Sequence, residues 1–243
     1  ACNHANGRDG SMFIGHFAAA LIAKKATPST SLGVLFAAAQ WLDLLWPALL
    51  LAGIEHAEVA PPDAVIPLRF THYPYSHSLL AVLVWAALAG GLYFWWARST
   101  RASLVVAALV ASHWVLDMVA HMPDLPLALH VGPYMGLGLW QWPLAALALE
   151  LTLFAAAVVG YLRTTANTGR RRGWALYGLF GFLVVIQLAN VLGPTPPSMT
   201  PVAWSGMATW LLVAWGGWAD RMQTRRGRGQ TGDAERLRRT TGR

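Results

Sequence analysis

Apolar residues along this chain occur in long uninterrupted runs, unlike the alternation of a half-buried strand or the one-sided stripe of a surface helix. Six of the runs have about 20 residues or more, enough for a helix rising about 1.5 Å per residue to cross the hydrocarbon core of a bilayer. The first run is shorter. The pattern predicts an all-α, polytopic membrane bundle with six full spans and a short N-terminal helix, at residues 12–23, 32–53, 78–97, 102–121, 138–162, 173–192 and 199–218.

The composition supports a membrane protein. Only 12% of the 243 residues are charged, about half of the roughly 25% that is usual in a soluble domain. The single cysteine, Cys2, excludes a disulfide scaffold and a thiolate metal site. We expect a polar N-terminal extension at residues 1–11, one transmembrane domain at residues 12–218 and a basic, disordered cytoplasmic tail at residues 219–243.

The basic residues predict the orientation of the bundle. If the loop after the first segment is cytoplasmic and the spans alternate, every one of the 18 basic residues except Arg8 and Arg69 lies on the cytoplasmic side. An excess of Lys and Arg is typical of cytoplasmic loops. The asymmetry therefore predicts an extracytoplasmic N-terminus and a cytoplasmic C-terminus. It also makes anionic lipid headgroups, rather than nucleic acid, the expected partner of the Arg-rich tail.

Ionisable side chains interrupt the predicted spans, although a charge at bilayer depth is costly unless it is paired or metal-bound. His113, Asp117 and His121 recur every four residues, which puts them on one face of a helix. Imidazole and carboxylate groups are ligands of zinc, manganese and iron. His113 and His121 are about 12 Å apart along the helix axis, too far for one ion. This stripe predicts two metals, or one metal with an outer hydrogen-bonding group, and a metal-free proton relay is the alternative.

The segment before the third span also presents candidate ligands. A proline there disfavours helix at the residue before it, and a serine can cap the helix that follows, so we expect His77 at the mouth of the span. Asp43 lies about 15 Å inside its span and Glu150 about 10 Å inside its own, and Glu150 is a candidate general base or outer hydrogen-bonding partner. The predicted metal ligands are His16, Asp43, His72, His77, His113, Asp117 and His121, and the predicted catalytic groups are Asp43, Asp117 and Glu150.

These residues resemble a bacterial family of membrane-bound metal-dependent hydrolases, which includes an inner-membrane protein of the LexA regulon. The resemblance covers about residues 12–125: a Gly-His pair, an Asp in the second span, a His followed five residues later by His-Ser, and His-x-x-x-Asp on a helix. The chain departs from the family pattern at Asp43, which lacks a paired acid, and after His72. The resemblance implies a bacterial cytoplasmic membrane protein whose polar site comprises His16, Asp43, His72, His77, His113 and Asp117.

A mixed His/Asp site leaves coordination positions open for water, and a divalent ion makes that water a nucleophile for an ester or phosphoester. We therefore expect a metal-dependent hydrolase with one or two ions, zinc first and manganese or iron as alternatives. The depth of the site favours a lipid or lipid-linked substrate. The competing interpretations are a proton- or metal-coupled transporter, since buried acids across several spans also mark ion paths, and a metal-stabilised scaffold or sensor.

Overall fold

The computed structural model describes residues 13–61, 64–129, 133–166 and 173–240, and the side chains of the last stretch as far as residue 222. The predicted N-terminal extension lies outside the described residues. Within them the fold is mostly helical, with two short β-pairs that the hydrophobic pattern does not predict.

The described helices are α1 (Ile14–Ala23), α2 (Leu32–Ala39), α3 (Trp41–Leu51), α4 (Pro74–His77), α5 (Leu79–Ala97), α6 (Thr100–Ala120), α7 (Pro143–Ala166), α8 (Trp174–Leu192) and α9 (Met199–Thr240). A 3₁₀ turn at Leu139–Gln141 precedes α7. The β-pairs are antiparallel: β1 (His56–Val59) with β2 (Leu68–His72), and β3 (Leu125–Pro126) with β4 (Tyr134–Met135).

Four helices, α5 to α8, are long and apolar enough to cross a membrane. The predicted continuous span at residues 32–53 is instead the pair α2 and α3, bent by 59° at a break, which makes it a broken span or a re-entrant loop. The described chain thus has four membrane-type helices, or five with the bent pair, and the six predicted spans are not confirmed. The helix α9 is long, but its first turns are rich in Gly, Trp and Thr and it is not among the four.

Contacts from distant parts of the chain accompany the bend between α2 and α3. The side-chain amide of Gln40, the residue between the two helices, donates to the backbone oxygen of Phe13 at 3.3 Å. The backbone oxygen of Ala39, the last residue of α2, lies 2.7 Å from a ring nitrogen of His113. The sequence has neither proline nor glycine at the break, so its apolar pattern predicts one helix.

The long helices run between two ends of the bundle. At one end, the Tyr93 hydroxyl near the end of α5 donates to Thr30, just before α2, at 3.2 Å. Trp174 at the start of α8 packs there against Trp218 of α9. The β-pairs lie in loops at the opposite end. We call the first the basic end, because its helix termini and turns carry the described residues Lys24, Lys25, Arg98, Arg101, Arg163 and Arg221.

The short helices α1 and α2 are packed inside the longer ones. The helix α1 contacts α2, α6 and α7, while α9 covers α2 and α3. Phe17, Leu35 and Phe36 are completely buried between them. The helices α2 and α9 approach closely at Gly33, where a Cβ would lie 2.8 Å from the backbone oxygen of Val213. Small residues permit such close helix contacts in membrane bundles.

A buried ion pair joins α9 to the turn between α1 and α2. Lys24 Nζ lies 2.9 Å from Asp220 Oδ2 and donates to the backbone oxygen of Thr30 at 2.5 Å. The same oxygen of Asp220 accepts the backbone N–H of Leu32, the first residue of α2, at 3.3 Å. Asp220 belongs to the segment predicted to be a disordered tail, but α9 continues through it to Thr240, because extending a nucleated helix costs little.

Candidate metal centre

Five of the predicted ligands meet at the end of the bundle opposite to the basic end. Four of them are at most 4% exposed, whereas the Asp43 side chain is 32% exposed. The site is therefore a buried polar cluster that is accessible on the side of Asp43. We call it the His/Asp cluster; it consists of His16 of α1, Asp43 of α3, His77 of α4, and His113 and Asp117 of α6.

The cluster contains two overlapping sets of three potential ligand atoms, and the atoms of each set lie within 4.8 Å of one another. One set is His16, His113 and Asp117, and the other is Asp43, His77 and His113. Asp117 contacts three imidazoles. Its Oδ1 lies 3.2 Å from His16 Nε2, and its Oδ2 lies 3.2 Å from His113 Nε2 and 3.7 Å from His77 Nε2.

The donor atoms fit a divalent transition metal. Two ligands that each lie about 2 Å from one ion are at most about 4 Å apart, which is the range of the contacts around Asp117. His16 Nε2, His113 Nε2 and Asp117 Oδ2 are buried without a hydrogen-bond partner among the described residues. Polar atoms buried in this way are unfavourable. The His16 and His113 rings are stacked with centroids 3.6 Å apart, so a bound cation would satisfy Asp117 Oδ2 and the Nε2 of one ring, and both rings only after one of them turns. The same donors suit zinc, manganese and iron.

A backbone carbonyl fixes the orientation of His113. Its Nδ1 lies 2.7 Å from the Ala39 oxygen, which can only accept, so Nδ1 carries the proton and Nε2 presents its lone pair to the cluster. In an unbroken helix, that oxygen would accept the amide of residue 43. The bend thus provides an outer hydrogen-bond partner for a candidate ligand. It also places Asp43 in the first turn of α3, at the positive end of the helix dipole.

A buried carboxylate that the sequence analysis misses orients His77. Glu55 is completely buried, and its Oε1 accepts the backbone N–H groups of Tyr75 and Ser76 at 2.7 and 2.8 Å. The Ser76 hydroxyl donates to Glu55 Oε2 at 2.6 Å, so its oxygen accepts the proton of His77 Nδ1 at 2.7 Å. The Nε2 lone pair of His77 then faces Asp43, at 3.7 Å from its Oδ1. Glu55 lies in a predicted loop, and no pattern in the sequence indicates that it orients a histidine.

Replacing Glu55 by Gln is expected to weaken metal binding by about 10- to 100-fold, the usual cost of losing an outer hydrogen-bond partner of a ligand. The glutamine NH₂ group cannot accept the Ser76 proton, which leaves His77 free to take the wrong tautomer. Competition of the detergent-purified protein with a fluorescent zinc chelator measures the affinity. Glu58→Gln, an exposed position on β1, is the matched control, and equal affinities for both variants would refute the role of Glu55.

His121 lies beside the cluster but belongs to neither set of ligand atoms. Its Nδ1 is 3.0 Å from Asp124 Oδ1, and its ring packs on the buried Trp140 with centroids 3.9 Å apart. The Tyr73 hydroxyl donates to the same Asp124 oxygen at 3.0 Å. Burial and the nearby Asp124 carboxylate raise the pKa of Tyr73, so the phenol remains a donor. The His121–Asp124 pair therefore forms a separate polar group at the edge of the cluster.

The structure does not bring His72 to the cluster. This residue ends β2 and is exposed, and its ring lies 6.1 Å from that of His56 on the paired strand. The predicted role of His72 as a ligand is therefore not supported by its position. The physical reason is the β-hairpin: residues alternate faces along a strand, and the chain turns at Tyr73 before the one-turn helix α4 presents His77.

Glu150 supports the structure of the site instead of facing its reactive side. Its Oε2 accepts the backbone N–H groups of Phe13 and Gly15 at 2.8 and 3.1 Å, and its Oε1 accepts the Gln187 amide at 3.2 Å. Glu150 therefore caps the start of α1, which has no side-chain cap of its own, and so positions His16. The predicted role of Glu150 as a general base does not fit these contacts.

A cavity of about 810 Å³ adjoins the cluster. Asp43, His77, Asp117 and His121 are its ionisable lining residues, and the rest of its wall is mainly apolar, from α3, α8, α9 and the loops. Cavities of this size are typical of sites for organic ligands. A molecule in the cavity would therefore be in reach of the His/Asp cluster.

Comparison with known proteins gives no match to a family model, to a curated protein or to a solved structure. The resemblance of residues 12–125 to the membrane-bound hydrolases therefore stays a prediction.

Proposed function

We propose that this protein is a membrane-embedded, metal-dependent hydrolase of an ester or phosphoester. The observation that carries the proposal is the cluster of buried, unpartnered imidazole and carboxylate atoms beside a cavity of about 810 Å³. Such a donor set suits a catalytic metal, and the partly exposed Asp43 connects it to the cavity. A structural metal site would instead be closed on all sides.

The residues of the chain have distinct roles in this proposal. His113 offers only Nε2 and belongs to both ligand sets, so it would bind one ion with the ligands of one set, and the remaining ligands of the other set would be left for a second ion. When bound, a divalent metal such as zinc polarises the ester and acidifies a water molecule. His121 faces the same cavity, and its Nδ1 is held by Asp124, so its Nε2 is available to accept or return a proton.

The apolar composition of the helices α1 and α2 supports a hydrolase rather than a transporter. These helices run from the His/Asp cluster to the Lys24–Asp220 ion pair at the basic end. Between these two polar layers the side chains of α1 and α2 are all apolar, and several of them, such as Phe17, Leu21 and Phe36, are completely or almost completely buried. A transport path needs polar groups along its length, whereas a hydrolase needs them only where the substrate reacts.

The proposal is tested by purifying the protein in detergent without chelators, followed by elemental analysis and an assay with bis(p-nitrophenyl) phosphate and p-nitrophenyl butyrate. We expect one or two equivalents of a transition metal, hydrolysis of one substrate, loss of hydrolysis with a chelator and recovery on adding zinc or manganese. Bound metal without hydrolysis of either substrate would overturn the enzymatic proposal. The absence of metal would overturn the site assignment as well.

We also propose that the basic end is cytoplasmic, in a bacterial inner membrane, with the cluster facing the extracytoplasmic side and the N-terminus outside. The support is the collection of Lys and Arg at one end of the helices. Fusion of green fluorescent protein after Arg243 is expected to give a fluorescent protein, and fusion of alkaline phosphatase an inactive one. The reverse result would invert the orientation.

A further inference from the structure

Among the described residues, the contacts between α8 and α9 lie towards the basic end and extend as far as Phe182 and Trp215, whose ring centroids are 5.7 Å apart. Near the basic end, the Trp215 ring N–H donates to the backbone oxygen of Ala175 at 3.0 Å, and Trp174 packs against Trp218. Towards the other end, the cavity separates the two helices, and Ala189 of α8 lines it. The cavity is therefore a cleft between α8 and α9 that the ring contacts close towards the basic end and that extends to Asp43 and Asp117 of the His/Asp cluster.

The mouth of this cleft lies at the depth of the membrane. The helix α8 is one of the four membrane-type helices, and the cleft is lined by Phe182 of α8 and Leu211 of α9, which are 46% and 71% exposed. Ile66 and Leu68 line the same cavity near the loops of the site end. A hydrocarbon chain can therefore reach the cavity from the side without crossing the aqueous loops.

The residues that line the cavity favour contact with the apolar part of a ligand. None of the residues that line the cavity is Lys or Arg, so a small anionic substrate would find no side-chain cation there. Deep in the cleft, Thr209 and Leu212 are only 6% and 5% exposed, and bulk lipid does not reach them. The ionisable residues of the wall, Asp43, His77, Asp117 and His121, lie at the cluster, whereas its uncharged polar residues Asn190, Ser205 and Thr209 are on α8 and α9.

We propose that the cleft between α8 and α9 binds the hydrocarbon chain of a membrane lipid and holds its ester or phosphoester linkage beside the His/Asp cluster. The chain inserts between the two helices from the bilayer, and the linkage lies next to Asp43 and Asp117. The reaction at the linkage rests on the proposed hydrolase function, whereas binding of the chain does not. The natural substrate class is thus an acyl lipid, and the water-soluble esters of the hydrolysis assay test only the reaction at the cluster.

The test uses the full-length protein in phosphatidylcholine nanodiscs that contain phosphatidic acid with a diazirine in one acyl chain. After irradiation, mass spectrometry of the peptides locates the adducts. We expect adducts at Thr209 and Leu212. Obstructing the cleft by Ala189→Trp, or from the other wall by Ala208→Trp, should reduce them by about fivefold or more, since a bulky indole would project between the two helices into the path of the chain. Ala87→Trp, at an exposed position of α5, is the matched control and should leave them unchanged.

Equal labelling of Thr209 and Leu212 in all four proteins, or labelling restricted to lipid-exposed positions, would overturn the proposal. Metal content and gel-filtration profile, measured on the same samples, show whether the Trp variants are folded. Labelling that behaves as expected in a protein that hydrolyses no ester would refute the proposed function and leave lipid binding intact. Hydrolysis of bis(p-nitrophenyl) phosphate without cleft labelling would refute lipid binding and leave the proposed function intact.

Discussion

Replacing Asp117 by Asn is expected to lower the metal affinity by more than about 100-fold, since losing even an outer partner of a ligand costs 10- to 100-fold. Asp117 contacts three imidazoles of the cluster, at 3.2 to 3.7 Å. The amide keeps the size of the carboxylate but removes its charge and one acceptor atom. Bound metal, measured by elemental analysis after purification, should therefore fall below detection, and hydrolysis should disappear with it.

The matched control for this variant is Asp124→Asn. Asp124 follows α6 and contacts His121 and Tyr73, but it belongs to neither ligand set. This variant should keep its metal. The double variant Asp117→Asn, His113→Ala also removes the ligand that the two sets share and should retain no metal. Metal content in Asp117→Asn equal to that of the unchanged protein would show that the cluster is not the metal site.

The membership of the His/Asp cluster was largely predictable, because ionisable residues inside apolar runs are rare and costly. His113 and Asp117 follow helical spacing within one run, and His16 and Asp43 each interrupt another. Because successive spans cross the membrane in opposite directions, the positions of these residues along the sequence are enough to predict that they meet at one end of the bundle. His72 could not be distinguished from His77 in the same way, since both precede the same span and only the hairpin and the one-turn helix between them separate their positions.

The break between α2 and α3 was not predictable from the local sequence. Residues 32–53 form one apolar run, and its proline, Pro47, lies inside α3 rather than at the break. The partners of Gln40 and Ala39 are Phe13 and His113, which are 27 and 74 positions away along the chain. The bend therefore depends on tertiary contacts, which a hydrophobicity pattern does not contain.

The roles of the buried acids were also determined by tertiary structure. Glu150 was predicted from its depth, but depth does not tell a reactive carboxylate from one that caps another helix, as its bonds to Phe13 and Gly15 show. Glu55 was missed because it lies in a polar loop that folds back onto Ser76. Asp220 was missed because the sequence after residue 218 is typical of a solvated tail.

Replacing Asp220 by Asn is expected to destabilise the fold by about 3–5 kcal/mol, because it leaves the Lys24 ammonium buried without that carboxylate. Lys24 is 2% exposed and the Asp220 side chain 8%, so water cannot replace the lost partner. Unfolding in a mixed detergent and SDS titration measures the change. The double variant Lys24→Met, Asp220→Leu removes both charges and should recover most of the stability. A single variant as stable as the unchanged protein would contradict this assignment.

The Asp220 variant should also affect the His/Asp cluster, because α2 connects the two sites. This helix has eight residues and is about 12 Å long. Asp220 accepts the N–H of Leu32 at its start, and His113 donates to Ala39 at its end. A loosened start lets α2 shift, which would misplace the carbonyl that orients His113. We therefore expect weaker metal binding in Asp220→Asn and a return towards normal affinity in the double variant. Destabilisation with unchanged metal affinity would show that the two ends of α2 are independent.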